Sequence, residues 1–330
     1  MPPTKISTHF TSSPTIPLLI DGALATYLEH LGADISGSLW SASILLSQPE
    51  LIKKTHLDYY RAGANIAITA SYQASIAGLI AHLGLSEGEA KSVVGKSVEL
   101  AIEARDMYVR EKLEGSCERS VDEEGLRGDL FVAGSVGPYG AFLSDGSEYR
   151  GDYLVAHDVM KEFHRGRIQA LVDAGVDVLA CETIPSKSET VALLDLMRSE
   201  FKDTEAWFTF TLRDAEHIAD GTSLREIAAL FDDAEQVVGL GFNCVPDDLA
   251  LAALKNLKPL VKRGSLIVYP NSGEQWNAKA REWEGSRTEG EGLASKVVQW
   301  EEAGAGMIGG CCRTTPEDIK TMEEALLGRR

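Results

Sequence analysis

The stretch ALVDAGVDVLACETIP, residues 170–185, contains in sixteen residues the pattern that decides the fold. An amphipathic helical segment ends at Ala174-Gly175, and a short apolar run, VDVLACE, follows and ends in a carboxylate. Glycine at this point is the usual left-handed cap between a helix and a strand. Because Ala62-Gly63 and Ala303-Gly304 also stand before short apolar runs, the chain alternates helices with buried strands.

Eight apolar runs have the length and composition of strands that are buried on both faces. They are residues 17–21, 64–70, 129–136, 176–182, 206–212, 237–243, 265–271 and 306–310. Eight strands alternating with helices in 330 residues favour a single α/β domain, a (β/α)8 TIM-type barrel, over an open doubly wound sheet. We expect residues 1–15 to be a flexible N-terminal tail and residues 16–330 to form the barrel.

Composition limits the partners of this chain. The net charge of −18 argues against nucleic acids and anionic membranes as partners. The sequence has no apolar run of about 18 residues that could span a bilayer, and its polar start lacks the apolar centre of a signal peptide. Five cysteines in a long chain are unlike a disulfide framework. These features predict a cytoplasmic protein.

Polar residues stand where the predicted strands end. In a closed barrel these positions meet at one mouth, where barrel enzymes place their active sites. The residues are Asp21, Thr69, Ser71, Glu182, Asn243, Cys244, Asn271, Cys311 and Cys312. Two long glycine-rich loops, 137–153 and 272–292, leave the same face, whereas the acidic segment 114–129 precedes a strand and belongs to the opposite face.

Three of the five cysteines are predicted to meet. Cys244 ends the sixth strand, and Cys311 and Cys312 end the eighth. Three thiolates can hold a zinc ion and leave its fourth position open; a structural or redox role and a vicinal disulfide are the alternatives. Consecutive strand residues face opposite sides, so we expect unusual backbone at residues 309–310 to turn both sulfurs inward.

The remaining cysteines call for simpler interpretations. Cys181 alternates with Glu182 along a strand, so one of the two side chains must leave the pocket. We expect Cys181 to be a core residue and Glu182 to face the mouth. Cys117 lies in the acidic segment and is predicted to be an exposed thiol.

Two acidic residues and a helix start suggest a site for an α-amino acid. Glu182 ends an apolar strand, where an unpaired charge is costly. Asp21 either caps the next helix or binds substrate. Together the two carboxylates can hold an ammonium group, and the backbone N–H groups of Gly22 and Ala23 can bind a carboxylate.

Seven motifs resemble, in order, those of the homocysteine S-methyltransferase family. They are IDGALATYLEHLGADI (20–35), ITASYQAS (68–75), GSVGPYGAFLSDGSEY (134–149), CETIPSKSE (181–189), GFNCVPD (241–247), YPNSGEQW (269–276) and GGCCRTTPEDI (309–319). The resemblance covers about residues 16–325. It implies a (β/α)8 barrel, a catalytic Zn²⁺ ion and methyl transfer to homocysteine, which gives methionine.

The resemblance also implies roles for single residues. The implied metal ligands, which are also the catalytic residues, are Cys244, Cys311 and Cys312. The implied substrate-binding residues are Asp21, Gly22, Ala23, Thr69, Glu182 and Asn243, the last acting through its amide. Family members often have a second glycine where this chain has Ala23.

The loop motifs are similar to those of stand-alone enzymes whose methyl donor is a sulfonium compound. S-methylmethionine is the expected donor and S-adenosylmethionine a possible second one. Tyr139 and Trp276 are predicted to contact the positive sulfur through their rings. Betaine or selenocysteine specificity, or a non-catalytic barrel that senses zinc or thiols, are the alternatives. The expected partners are small molecules only, with a monomer or a small homo-oligomer as the assembly.

Overall fold

The computed structural model of the chain describes residues 5–12, 16–35, 41–115, 125, 129–277 and 282–329. Cys117 and most of the acidic segment 114–129 lie outside these residues. Within them, no helix is long and apolar enough to cross a membrane.

Eight parallel strands form the centre of the molecule, as the sequence predicted. They are β1 (Leu18–Leu19), β2 (Ile66–Ile68), β3 (Phe131–Val136), β4 (Val178–Ile184), β5 (Ala206–Phe210), β6 (Val237–Asn243), β7 (Ser265–Tyr269) and β8 (Ala305–Ile308). Each strand pairs with the next, and β8 pairs with β1. A parallel bridge between Ile20 and Ile66 joins β1 to β2 and closes the ring.

Helices cover the outside of the barrel. They are α1 (Ile6–Ser12), α2 (Leu24–His30), α3 (Ser41–Ser47), α4 (Pro49–Arg61), α5 (Ile76–Leu83), α6 (Glu87–Gly115), α7 (Tyr139–Leu143), α8 (His157–Asp173), α9 (Lys187–Glu200), α10 (Leu224–Ala229), α11 (Asp247–Leu257), α12 (Gly290–Glu302) and α13 (Pro316–Leu327). Two antiparallel pairs extend the loops after β5 and β7: Leu212–Asp214 with His217–Ile218, and Gln275–Asn277 with Glu282–Glu284.

Two apolar cores result from the alternation of side chains along each strand. Val178 and Ala180 of β4 belong to the core inside the barrel, whereas Leu179 and Cys181 belong to the core between strands and helices. Cys181 is fully buried there, which confirms it as a core residue. The same alternation turns Glu182 toward the barrel axis.

The N-terminal segment differs from the predicted flexible tail. Residues Ile6–Ser12 form α1, and Ile6 is fully buried in the core inside the barrel, with Phe10 packed against the same core. The Ser7 backbone N–H donates to Glu205, which stands just before β5. Therefore α1 closes the amino end of the barrel, because the apolar side chains there would otherwise face water.

Five strands, β1, β2, β5, β7 and β8, end earlier than expected. β7 ends at Tyr269 and β8 at Ile308, so residues 270–271 and 309–310 belong to the mouth. Strand ends carry fewer ladder hydrogen bonds than strand centres and are the part of an element that apolar patterning locates least well.

Candidate metal centre

Three thiols meet at the carboxyl ends of the strands, as predicted. Cys244 follows β6, and Cys311 and Cys312 follow β8. Their sulfur atoms all lie within 4.8 Å of one another, and the Sγ atoms of Cys244 and Cys312 are 3.6 Å apart. In the part of the chain that the structure describes, this is the one group of three possible metal ligands.

The spacing of these sulfurs suits a metal ion. Zn–S bonds of about 2.3 Å in a tetrahedron place sulfur atoms about 3.8 Å apart, which is close to the 3.6 Å between Cys244 and Cys312 and within the 4.8 Å limit of the group. Hydrogen bonds from Cys311 and Cys312 lower the pKa of Cys244, so one thiolate is favoured even before a metal binds. The cluster therefore fits a metal site with three protein ligands.

The backbone turns both sulfurs inward after β8 has ended. The N–H of Cys311 donates to the Pro270 oxygen at 2.8 Å, and the N–H of Thr314 donates to the Cys311 oxygen at 3.1 Å. Arg313 within this turn has a positive φ of 69°. The two cysteines thus lie in a turn, where strand alternation does not apply.

The glycines before the cysteines have a different role from the one expected. Neither Gly309 nor Gly310 has a positive φ. A Cβ atom on Gly309 would instead lie 2.7 Å from the Ile20 Cβ atom, and one on Gly310 would lie 2.2 Å from the Thr314 Oγ1 atom. Close packing against β1 and against the cysteine turn is what requires glycine here.

Asp21 lies at the mouth and is 2% exposed. Its Oδ2 atom accepts a hydrogen bond of 2.9 Å from the Ile68 N–H. Residue 23 is the N-cap of α2, so the alternative that Asp21 caps this helix is wrong.

Burial raises the pKa of Asp21, and the charge of Glu182 raises it further. His56 lies 3.9 Å away, but burial lowers its pKa to about 4, so this ring brings no positive charge at neutral pH.

Glu182 lies at the mouth within β4, three strands along the ring from β1, after which Asp21 stands. It is 6% exposed, and the Ser135 hydroxyl donates a hydrogen bond to its Oε1 atom. Burial raises the pKa of Glu182 to about 7, although hydrogen bonds from Ser135 and Tyr269 oppose this rise. With Asp21 also buried, the pocket holds two acidic groups that a bound cation would stabilise.

Thr69 and Asn243 support the Glu182 region in different ways. The Thr69 Oγ1 atom accepts a 3.0 Å hydrogen bond from the N–H of Ser135, the residue that binds Glu182. The Asn243 Oδ1 atom accepts from the Thr183 N–H at 2.7 Å, and its Nδ2 donates to the Thr183 hydroxyl at 2.8 Å. The Asn243 amide therefore holds the backbone directly after Glu182.

Gly22 and Ala23 do not offer equal backbone donors. The Ala23 N–H already donates to both oxygens of Thr314, each at 3.2 Å, which disagrees with the expected free donor at this position. A Cβ atom on Gly22 would lie 2.8 Å from the Tyr59 hydroxyl and 2.9 Å from the Thr314 hydroxyl. Only glycine fits there, and of the two predicted donors the Gly22 N–H is the one that Thr314 does not occupy.

The comparisons with known proteins agree with this arrangement. A family model described as homocysteine S-methyltransferase matches residues 18–326. The homocysteine S-methyltransferase of Escherichia coli K12 is 51% identical over 306 residues, which are 93% of this chain and 94% of that protein. This chain belongs to the homocysteine S-methyltransferase family. As a member of that family it is a methyltransferase.

Other relatives in the family have related but different names. Homocysteine S-methyltransferase YbgG of Bacillus subtilis is 46% identical over 93% of both chains. Selenocysteine methyltransferase of Astragalus bisulcatus is 42% identical over 93% of this chain and 92% of that protein. The metallated form of the E. coli homocysteine methyltransferase MmuM has a TM-score of 0.83 at 48% identity, covering 98% of this chain and all of that one. A member of the family with this fold therefore holds metal.

In this homocysteine S-methyltransferase family member, Tyr149 contacts Cys244 directly. The sequence did not single out this tyrosine. The Tyr149 hydroxyl lies 3.3 Å from the Cys244 sulfur. The position of Tyr149 in the long loop after β3 was the one sequence feature that could have indicated this contact. An aromatic residue in a loop does not by itself indicate where its side chain points. The Glu274 carboxylate, after β7, binds the Arg313 side chain at 3.1 Å and so ties the second long loop to the cysteine turn.

The two aromatic residues that we predicted to contact a cationic donor are not confirmed. The Tyr139 ring packs among Phe142, Tyr153 and Phe163, with centroids 4.9 to 5.6 Å apart, so it belongs to an aromatic cluster beside the mouth. Trp276 lies in the strand Gln275–Asn277, and its side chain is not among those that the structure describes.

Proposed function

We propose that this chain transfers a methyl group from a sulfonium donor to the thiol of homocysteine, with Zn²⁺ held by Cys244, Cys311 and Cys312. The observation that carries the proposal is the meeting of three thiols with two buried carboxylates at one barrel mouth. Sulfur ligands select zinc among common divalent ions. Zinc with three thiolate ligands lowers the pKa of a thiol at its fourth position and keeps it a nucleophile.

The carboxylates of Asp21 and Glu182 suit the ammonium group of an α-amino acid. Both are buried and both have raised pKa values, so a bound cation favours their ionised forms. The Gly22 N–H, at the start of α2, is the proposed contact for the substrate carboxylate. Asn243 and Thr69 keep Glu182 in place through Thr183 and Ser135. The homocysteine backbone is thereby fixed while its sulfur reaches the cysteines.

A sulfonium donor balances the charges of the reaction. The thiolate forms a bond to the methyl carbon, the bond from that carbon to the donor sulfur breaks, and its electron pair stays on the donor sulfur. Both products are neutral thioethers. S-methylmethionine is the proposed donor, and S-adenosylmethionine is the second candidate with the same charge.

Selenocysteine is a second acceptor that a specific observation favours. Relatives named for selenocysteine methylation are 42% and 41% identical to this chain over 93% and 94% of its length. Both acceptors have an α-amino acid group that Asp21 and Glu182 can hold. The two differ in chain length and in the reacting atom, so kcat/KM for each acceptor decides between them.

A compartment and an assembly are part of the proposal. The strongly acidic composition and the absence of a membrane-spanning helix among the described residues fit a cytoplasmic enzyme that acts on small molecules. A monomer or a small homo-oligomer is the proposed assembly.

The deciding experiment combines metal analysis with turnover. We expect one Zn²⁺ per wild-type chain and methionine formation from homocysteine with S-methylmethionine. Cys311→Ser should lose most of the metal and the activity together, whereas Cys181→Ser, which changes a cysteine of the outer core, should keep its metal. Full turnover by a zinc-free preparation would contradict the proposal. Faster turnover with betaine than with either sulfonium compound would contradict the proposed donor.

A further inference from the structure

Glu148 is an acidic residue at the mouth that has no role in the reaction as proposed above. It lies in the single 3-10 turn Ser147–Tyr149 of the loop after β3. Its backbone oxygen accepts a 3.0 Å hydrogen bond from the hydroxyl of Thr211, which follows β5. The next residue, Tyr149, contacts the Cys244 sulfur at 3.3 Å. The segment is therefore anchored beside the candidate metal centre, on the β5 side.

One oxygen of the Glu148 carboxylate lacks a partner among the described residues. This atom, Oε2, is buried and makes no hydrogen bond to any residue that the structure describes. The adjacent cation, Arg150, is bound to Asp152 at 2.8 Å and to the Asp145 backbone oxygen at 3.1 Å. Burial, followed by the charge of Cys244, raises the pKa of Glu148 to about 7. A buried carboxylate oxygen without a hydrogen-bond partner is unfavourable, so a cation arriving with a ligand would stabilise it.

The surroundings of Glu148 suit a small organic cation. Tyr149 follows it in sequence, and Tyr72 is near enough that the charges of Glu148 and Cys244, after burial, raise its pKa. Aromatic rings beside a carboxylate form a favourable environment for an alkylated cation. Asp21 and Glu182, the proposed contacts of the acceptor, leave from β1 and β4, so Glu148 is available to the second substrate.

We propose that Glu148 is a specificity-determining residue that selects a positively charged methyl donor. The inference rests on the proposed function, because it assigns a contact to the sulfonium sulfur of that reaction. In the transition state most of the positive charge still lies on the donor sulfur and the methyl group, so the attraction acts about equally on the bound donor and on the transition state. Loss of the carboxylate should therefore raise KM for the donor and leave kcat almost unchanged.

The test is steady-state kinetics of the zinc-loaded enzyme at saturating homocysteine and varied S-methylmethionine. For Glu148→Gln we expect KM for the donor to rise about tenfold or more. We expect kcat and KM for homocysteine to stay within about twofold of the wild-type values. Asp158→Asn removes one negative charge from an exposed position at the start of α8 and is the matched control. It should change KM for the donor by less than about twofold.

A second variant separates charge from structure. Glu148→Asp keeps the negative charge, and its KM for the donor should lie closer to the wild-type value than that of Glu148→Gln. Equal KM values for all four proteins, or equal losses in the Asp and Gln variants, would overturn the inference. So would a rise in KM for homocysteine that matches the rise for the donor. If wild type turns over no sulfonium donor at all, the proposed function fails first, and that result is distinct from these.

Discussion

Cys244 and Thr183 show at the level of single residues how the mouth is built. Both have positive φ angles, 55° and 61°, in a region that costs a residue with a side chain about 1–2 kcal/mol. A hydrogen bond of 3.2 Å from the Cys244 N–H to the Tyr269 oxygen and the amide of Asn243 hold the two residues there. Cys244 follows the end of β6 and directs its own side chain into the site, whereas Thr183 lies near the end of β4, directly after Glu182.

The first prediction concerns the pH dependence that Glu182 brings to stability. Its pKa rises from 4.5 to about 7 on folding, so between these values the native state binds more protons than the unfolded chain. Stability from this group is therefore present at low pH and is lost as pH rises to about 7. Glu182→Gln should unfold at a higher temperature than wild type at pH 8 and lose most of that advantage at pH 5.

Thermal unfolding of metal-free protein at the two pH values measures this difference. Metal must be absent, because ligand binding to the native state would add its own pH dependence. An advantage of Glu182→Gln that is as large at pH 5 as at pH 8 would contradict the assigned pKa shift.

Sequence patterns located some residues of the site and missed others for definite reasons. Alternation along β4 was sufficient to separate Cys181 from Glu182, since both lie within that strand. The hydrogen bond that occupies the Ala23 N–H was not predictable, because its acceptor, Thr314, lies 291 positions away in the sequence. The contact of Tyr149 with Cys244 also depends on how a loop folds back across the barrel, which local sequence does not specify.

At the level of elements, β6 is adapted to lie very close to β7. A Cβ atom on Gly241 would lie 1.8 Å from the Ile267 backbone oxygen, and one on Gly239 would lie 2.6 Å from the Ile267 Cδ1 atom. Glycine in a strand normally weakens it, so Gly241 marks a close approach to the β7 backbone, and Gly239 leaves room for the Ile267 side chain. This approach sets the separation of the two strands whose ends carry Cys244 and the Pro270 oxygen.

The second prediction compares two glycine-to-alanine changes. Gly241→Ala should destabilise the protein by at least about 3 kcal/mol, because a methyl group cannot share space with a backbone oxygen. Gly95→Ala, in α6, should stabilise it by about 0.5–1 kcal/mol, since alanine favours helix and its Cβ atom would meet the Ala174 Cβ atom at an ordinary 3.8 Å. Urea unfolding of both variants measures the free energies. Similar effects of the two changes would contradict the close approach.

The helix α1 could not be recognised from the amino-acid composition of its segment. Its seven residues, ISTHFTS, include few apolar side chains, and so short a segment does not form a stable helix alone. The barrel end supplies the apolar surface against which Ile6 and Phe10 pack. The helix therefore depends on tertiary structure, which explains why a flexible tail was the natural expectation.

For the whole molecule, the two ends of the barrel have separate tasks. The mouth carries the thiols and carboxylates, whereas the opposite end is closed by α1. The alternation of strands and helices was enough to predict this overall architecture, because eight continuous apolar strands have few other ways to bury both faces. Which end of the ring is sealed, and by which segment, depends on packing that the pattern does not encode.

The third prediction tests this separation of tasks. Ile6→Ser should lower the free energy of unfolding by about 2–3 kcal/mol, because a fully buried side chain leaves the core. Ile80→Ser is the matched control, since this isoleucine is 40% exposed, and it should cost less than about 0.5 kcal/mol. Chemical denaturation gives both values. KM for homocysteine should be the same in both variants, and a change confined to Ile6→Ser would contradict the independence of the two ends.

The pairing of β8 with β1 has a consequence for the order in which a new chain matures. Leu18 pairs with Met307, so ring closure brings together segments that leave the ribosome far apart in time, and contacts of such long separation form late. Two of the three thiols follow β8, and the third follows β6. The chain can therefore take up its metal only after the eighth strand has docked. Metal content would then report completed folding, and immature chains would not compete for the ion.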